Sequence, residues 1–227
     1  MKRMKIDLKC TLEELAESKK YAEMKKIRKE NLDIDYGVVL PRITADELFD
    51  QLQRTVEYYD QELTKVRVFG KWHQIPRQQV AYGDEGLTYA FSGITIPAKP
   101  WIPSLSDVRT FLTKITGFQY NFVLVNRYRN ENDHMGEHKD DEKELDHNTP
   151  IASLTLGQER TFVLKHGDAR KKGDKKRNIP PVKLELQHGS LLLMNHPTNE
   201  YWYHSLPPRK SAGGVRINLT FRQLKLQ

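Results

Sequence analysis

The chain has 227 residues, with 37 Lys plus Arg against 30 Asp plus Glu, for a formal net charge of +7. That length suits one medium domain with room for an extension, and the basic excess favours an anionic partner, most simply nucleic acid. A lone cysteine, Cys10, excludes an intramolecular disulfide framework, no run approaches the length of an apolar membrane span, and the basic N-terminal segment MKRMKIDLKC lacks the apolar stretch of a secretory signal.

Residues 1–35 are charged and helix-like, and Thr11 with Glu14 has capping-box spacing. This segment reads as a helical or partly disordered extension, distinct from a domain over residues 36–227. A second capping box, Thr44 with Glu47, predicts a helix whose apolar positions Leu48, Phe49, Leu52, Val56 and Tyr59 fall on one face. From 65 to 105 the chain is short β-like pieces broken by Gly and Pro. Residues 106–116 predict another amphipathic helix, with Ser106 as its cap. From 120 onward strand-like runs dominate: YNFVLVNRY, PIASLTLG, RTFVLKH, VKLELQ, SLLLMN and VRINLTFRQL. Six such runs with little helix between them predict a mainly β fold with flanking helices, as an antiparallel sandwich or jelly-roll. Between the third and fourth runs lies GDARKKGDKKRNIPP, a polar loop carrying Arg170, Lys171, Lys172, Lys175, Lys176 and Arg177. That concentration of cations is the best phosphate-binding candidate in the chain.

His138-Lys139-Asp140 is a His-x-Asp pair. On an extended chain residues i and i+2 point to the same side, so an imidazole and a carboxylate converge. His204 is the leading candidate for a third ligand. Two imidazoles and one carboxylate leave open positions on an octahedral ion, which suits non-haem iron(II). His134 and His147 lie in an acid-rich loop and read as solvated, and His188 reads as structural. The last strand alternates strictly: Arg216, Asn218, Thr220 and Arg222 on one face, Ile217, Leu219 and Phe221 on the other. With the apolar face packed between sheets, the polar face would line a cavity or meet solvent. Two cations facing a cavity require an anion, and a dicarboxylate would pair with Arg in two-pronged fashion. Upstream, Asn126 and Tyr128 offer an amide and a phenol from one face of a strand.

Asn126-x-Tyr128, His138-x-Asp140, His204 and Arg216-x-Asn218-x-Thr220-x-Arg222, in that order, resemble the AlkB family of oxidative nucleic-acid dealkylases. The resemblance covers about residues 36 to 225. The segments FVLVNRY, GEHKDDEKEL, HGSLLLMNHPTN and WYHSLP are most similar to family members that act on duplex DNA. It implies a double-stranded β-helix core, with iron(II) held by His138, Asp140 and His204. It implies 2-oxoglutarate held by Asn126, Tyr128, Arg216, Asn218, Thr220 and Arg222, with Arg222 on the distal carboxylate, and oxygen as co-reactant. A base must be flipped out of a duplex to reach such a site. The resemblance gives that task to Val68, Phe69 and Gly70, with Phe69 as the wedge and Lys71 on phosphate. Tyr89, Ala90, Phe91 and Ser92 would line the base pocket, Asp141 and Glu142 would favour a cationic base, and Arg170, Lys171 and Lys172 would hold the second strand. The implied activity is removal of methyl groups from 1-methyladenine and 3-methylcytosine, with etheno adducts as further candidates. It would act in the nucleus, as a monomer, without a membrane. An RNA or single-strand demethylase of the same family, and a non-catalytic nucleic-acid-binding jelly-roll, are the alternatives.

Overall fold

The computed structural model describes residues 6–19, 23–68, 70–91, 94–140, 143–209, 211 and 213–225. Helix α1 spans Leu8–Ser18, followed by strands β1 (Lys25–Lys29) and β2 (Leu32–Val38) and helix α2 (Arg42–Thr55). Five short strands come next: β3 (Lys65–Val68), β4 (Lys71–Gln74), β5 (Gln78–Gly83), β6 (Thr88–Phe91) and β7 (Ile94–Pro97). Helix α3 (Pro103–Thr116) leads into β8 (Phe122–Tyr128), β9 (Met135–His138), β10 (Ile151–Gly157), β11 (Arg160–His166), β12 (Val182–Leu186) and β13 (Ser190–Met194). A single turn of helix, α4 (Thr198–Tyr201), precedes β14 (Trp202–Leu206) and β15 (Arg216–Arg222).

A seven-stranded sheet runs β1-β2-β13-β10-β15-β8-β5, and a four-stranded sheet runs β12-β11-β14-β9. Every pair in both is antiparallel. This is the jelly-roll expected from the run of strands. Two hairpins, β3–β4 and β6–β7, stand apart from both sheets. Residues 25–35, grouped by composition with an extension, supply β1 and most of β2, and β2 pairs with β13 from Val38↔Ser190 to Ile34↔Met194.

The helices start earlier than the polar caps suggested. Asp7 caps α1, its carboxylate accepting the Cys10 N–H at 3.2 Å, so Thr11 sits within the helix. Helix α2 begins directly after Pro41, and Thr44 is buried inside it. Helix α3 carries Pro103 at its first position, where a missing N–H costs nothing, and Ser106 is buried less than Ser104 ahead of it. It stops at Gly117, whose φ of +79° suits glycine.

The polar face of β15 lines a cavity, as expected, but its apolar face packs against helices instead of between the sheets. Ile217, Leu219 and Phe221 pack outward with Leu154, Val123 and Val125 against Leu8, Leu12, Leu48, Val108 and Phe111 of the helices. The polar face therefore turns inward, between the two sheets. Register carries the pattern sideways: Asn218 lies opposite Asn126 on β8 and Thr155 on β10, and Arg216 lies opposite Tyr128. Directly paired antiparallel residues share a face, so three strands present their polar side chains to one space. Among the described residues, no helix is long and apolar enough to cross a membrane.

Candidate metal centre and anion pocket

His138 and His204 come from distant parts of the chain but are register partners across β9 and β14. Their ring centroids are 4.2 Å apart. Asp140 follows two residues after His138. Its Oδ1 lies 3.4 Å from His138 Nε2 and 3.8 Å from His204 Nε2. The ligand atoms of the three residues all lie within 4.8 Å of one another.

Neighbours fix each member. Gly136 O is 2.9 Å from His138 Nδ1. A carbonyl only accepts, so Nδ1 carries the proton and Nε2 is bare toward the centre. Asn199 holds Asp140 at both ends of its backbone: its Oδ1 accepts the Asp140 N–H at 3.0 Å, and its Nδ2 donates to the Asp140 carbonyl. Phe162 lies against the His204 ring, centroids 5.4 Å apart. Arg222 Nη2 is 2.8 Å from Asp140 Oδ2.

Protonation follows from these contacts. Burial alone would raise the Asp140 pKa, but Arg222 and the two imidazoles outweigh it and hold the carboxyl well below its usual range. Burial pushes His204 down to about 4, so this ring is neutral. At His138 burial favours the neutral ring, yet the Asp140 carboxylate wins and the pKa is raised. The resting trio is one carboxylate and two donors that an ion or a proton can occupy.

All three residues line a cavity of about 730 Å³, together with Asn126, Tyr128, Arg216, Asn218, Thr220 and Arg222. The two arginines stand at opposite ends. Six residues apart on a strand, they are separated by about 20 Å of backbone. Arg222 pairs with Asp140, which puts it at the metal end and not at the distal end where the sequence reading set it. Arg216 occupies that far end. It donates to Thr155 Oγ1 at 2.8 Å and to Asn218 Oδ1 at 2.5 Å, and its guanidinium lies 5.1 Å from the Tyr128 ring centre. Its Nε is buried with no hydrogen-bond partner, and among the described residues no carboxylate pairs with it. Burial pushes its pKa down to about 10, which still leaves it cationic.

The other candidates divide. Ala90 lines the cavity mouth, and Lys71 is exposed on the β3–β4 hairpin, where Val68 pairs with it and Gly70 has a φ of +81°. Phe69, Ser92, Asp141 and Glu142 lie outside the described residues, as do the side chains of Val68, Tyr89 and Phe91. In the basic loop, Arg170 pairs with Glu137 at 3.1 Å and stacks on Tyr203, and Lys171 pairs with Asp168 at 2.5 Å. Lys172, Lys175 and Lys176 are exposed.

A family model described as the 2OG-Fe(II) oxygenase superfamily matches residues 37–222. The chain belongs to this superfamily. It is 52% identical over 200 residues to human DNA oxidative demethylase ALKBH2, covering 88% of this chain and 76% of that protein. Mouse DNA oxidative demethylase ALKBH2 is 50% identical, over 90% and 85% of the two chains. The human alpha-ketoglutarate-dependent dioxygenase alkB homolog 3 is 35% identical, over 78% and 61%. These relatives put the chain in the AlkB branch of the oxygenases. A solved structure titled "The structure of OsALKBH1" superposes with a TM-score of 0.57 at 17% identity, over 88% of this chain and 99% of that one, which supports the fold.

The residues present fit the cofactors of an oxygenase of this superfamily. The donor set is two imidazoles and one carboxylate, the composition that suits ferrous iron. The buried Arg216, with its Nε unpaired and no carboxylate beside it among the described residues, suits the far carboxylate of 2-oxoglutarate. Three contributors escaped sequence reasoning. Arg77 donates from Nε to Asn126 Oδ1 at 2.9 Å, and Ser153 and Thr155 of β10 bond the Asn218 amide oxygen. Ser153 and Thr155 were legible in the alternation of PIASLTLG, once β10 is known to pair with β15. Arg77 precedes its strand and carries no periodic signal.

Proposed function

We propose that the chain is an iron(II)- and 2-oxoglutarate-dependent dioxygenase that removes alkyl groups from bases in DNA. One observation carries the reading: a buried cationic Arg216 without a carboxylate partner, at the far end of the cavity that holds His138, Asp140 and His204. A dicarboxylate that chelates a metal at one end would turn its other carboxylate toward Arg216. The choice of DNA as substrate rests on the likeness to the demethylases.

Iron held there would, with 2-oxoglutarate and oxygen as co-reactants, supply the oxidising power to turn an N-alkyl group on a base into one lost as an aldehyde. The residues of the chain do the rest. His138, Asp140 and His204 would hold the ion, and the Gly136 carbonyl fixes the His138 tautomer. Arg222 keeps Asp140 ionised. Arg216 takes the distal carboxylate, and Asn126, Tyr128, Asn218 and Thr220 shape the slot around it. Both sheets exclude water, so charges inside interact strongly. Val68, Phe69 and Gly70 of the β3–β4 hairpin are read as the duplex finger, with Lys71 beside it. Tyr89, Ala90, Phe91 and Ser92 are assigned to the base pocket, and Asp141 and Glu142 to attraction of a cationic base such as 1-methyladenine or 3-methylcytosine. Arg170, Lys171 and Lys172 are assigned to the second strand. A monomeric enzyme of the nucleus fits a task on genomic duplex.

The test measures aldehyde and succinate released from methylated single- and double-stranded oligonucleotides, with and without iron. Turnover that needs iron and 2-oxoglutarate, and that His138→Ala abolishes, is expected. Phe69→Ala should lower turnover on duplex while sparing single strands. Equal loss on both counts against the finger, and undiminished turnover in His138→Ala counts against the metal ligands.

A further inference from the structure

A second group of metal-ligating side chains lies outside the catalytic cavity. His147, His196 and Glu200 each offer a ligand atom, and all three atoms lie within 4.8 Å of one another. His147 comes from the loop between β9 and β10, and the other two from the turn between β13 and β14. From the sequence His147 reads as a solvated loop residue, because nothing local shows that the two segments meet.

The backbone at both segments is anchored, which leaves side-chain rotation as the freedom to close on an ion. On one side Asp146 ties down its turn: its carboxylate accepts the Asn148 N–H and the Thr149 hydroxyl, each at 3.1 Å, and its own N–H donates to Gln223 O at 2.9 Å. On the other, Asn195 Nδ2 donates to Asp33 Oδ1 at 2.6 Å, Thr198 Oγ1 donates to Asp33 O at 2.8 Å, and Glu200 N donates to Pro197 O at 2.9 Å. His196 Nδ1 and Glu200 Oε1 are already 3.6 Å apart, and the His147 and His196 rings stand at 6.4 Å between centroids. Ligand atoms around a tetrahedral ion with bonds of about 2.0–2.1 Å lie roughly 3.4 Å apart, so modest rotamer changes suffice. Lys139 donates to the Glu200 backbone carbonyl at 2.6 Å, a contact that does not occupy the Glu200 carboxylate.

We propose that His147, His196 and Glu200 bind a second divalent transition-metal ion, of the zinc class, at the surface. Two imidazoles and a carboxylate suit Zn(II), whereas Ca(II) and Mg(II) prefer all-oxygen shells. Three protein ligands leave a fourth position for water. The ion ties the β9–β10 loop to the β13–β14 turn. Asn199, between two of the ligands in that turn, grips the Asp140 backbone, so the cross-link stiffens the support of the first metal site without sharing a ligand with it.

The test is a Zn(II) titration of the full-length chain by calorimetry, with circular dichroism to check the fold. Wild type should take up two equivalents. His147→Ala and the double variant His147→Ala/Glu200→Gln should take up one, or bind the second at least about tenfold more weakly, since even supporting residues of metal sites change affinity by that factor. In a His138→Ala/His204→Ala background one equivalent should remain and should vanish when His147→Ala is added. Where that background does not fold, the wild-type comparison alone decides. A single equivalent in wild type, or a second equivalent that persists at full affinity in His147→Ala/Glu200→Gln, overturns the assignment.

Discussion

Arg222 Nη2 lies 2.8 Å from Asp140 Oδ2, with both side chains almost fully buried. This contact makes Arg222 a support of the metal end of the cavity. Removing one member of a buried ion pair strands the other charge. In metal-free protein Arg222→Ala should therefore lower stability by about 3–5 kcal/mol. Bound metal supplies a replacement cation, so Mn(II) should restore more stability to the variant than to wild type. Urea unfolding with and without Mn(II) measures both. A metal-free variant as stable as wild type would show that the pair contributes little.

Arg216 has a different role and should fail differently. Thr155, Asn218 and the Tyr128 ring hold its guanidinium away from the three ligands. Arg216→Ala should leave Mn(II) affinity close to wild type while weakening 2-oxoglutarate. A hydrogen bond to a charged group contributes about 1.5–3 kcal/mol, so the loss should be on the order of tenfold to a hundredfold. Parallel titrations with the metal and with the keto-acid separate the two. Equal loss of both would merge the ends of the cavity that the geometry keeps apart.

How much of this was legible depended on distance along the chain. The His138–Asp140 pair could be read because period-two geometry operates within three residues, and the polar stripe of β15 because it operates within seven. That the stripe lines a cavity was legible; that the opposite, apolar face packs against helices was not. Ile217, Leu219 and Phe221 turned outward because α1, α2 and α3 cover that side, and helix placement is a global choice. Strand β1, with the sequence KKIRK, shows only Ile27 partly buried and has no apolar alternation to betray it; pairing with β2 makes it a strand. The pairing of β14 with β9 brings His204 opposite His138, and a one-residue slip would turn the ring to the other face. Polar caps were poor guides to helix starts, since Pro41 and Pro103 began α2 and α3 by fixing the backbone.

The basic loop makes a prediction in salt dependence. Arg170 and Lys171 already have acidic partners, at Glu137 and Asp168, so exchange onto phosphate gains less for them than for a solvated lysine. Lys172, Lys175 and Lys176 are exposed. Each lysine that neutralises a phosphate adds about 0.9 to the slope of log affinity against log salt. Replacing all three with Gln should flatten the slope by up to about 2.7 if each meets a phosphate, with little change in activity on a free nucleoside. Binding isotherms on one duplex across a salt series give the slope. An unchanged slope would leave the loop as a solvated surface.

The final prediction concerns pH, where two effects at His138 oppose each other. Its folded pKa is raised above the ordinary value of 6.5, because Asp140 favours the cation more than burial disfavours it. In metal-free protein this contributes stability that is fully present below the unfolded pKa and lost as pH rises through the folded value. Metal binding needs the bare Nε2, so the same proton competes with the ion. Affinity should then climb by up to about tenfold per pH unit and level off above the folded pKa of His138. His204, pushed down to about 4, adds nothing over that range. The thermal shift produced by Mn(II) should accordingly widen between about pH 5 and pH 8, even as the metal-free protein loses the contribution of the His138–Asp140 pair. Titrations and melting curves at matched pH test both arms. Metal affinity that stays flat across the range would mean that residue 138 binds no metal, and that the proton it holds serves only its ion pair with Asp140.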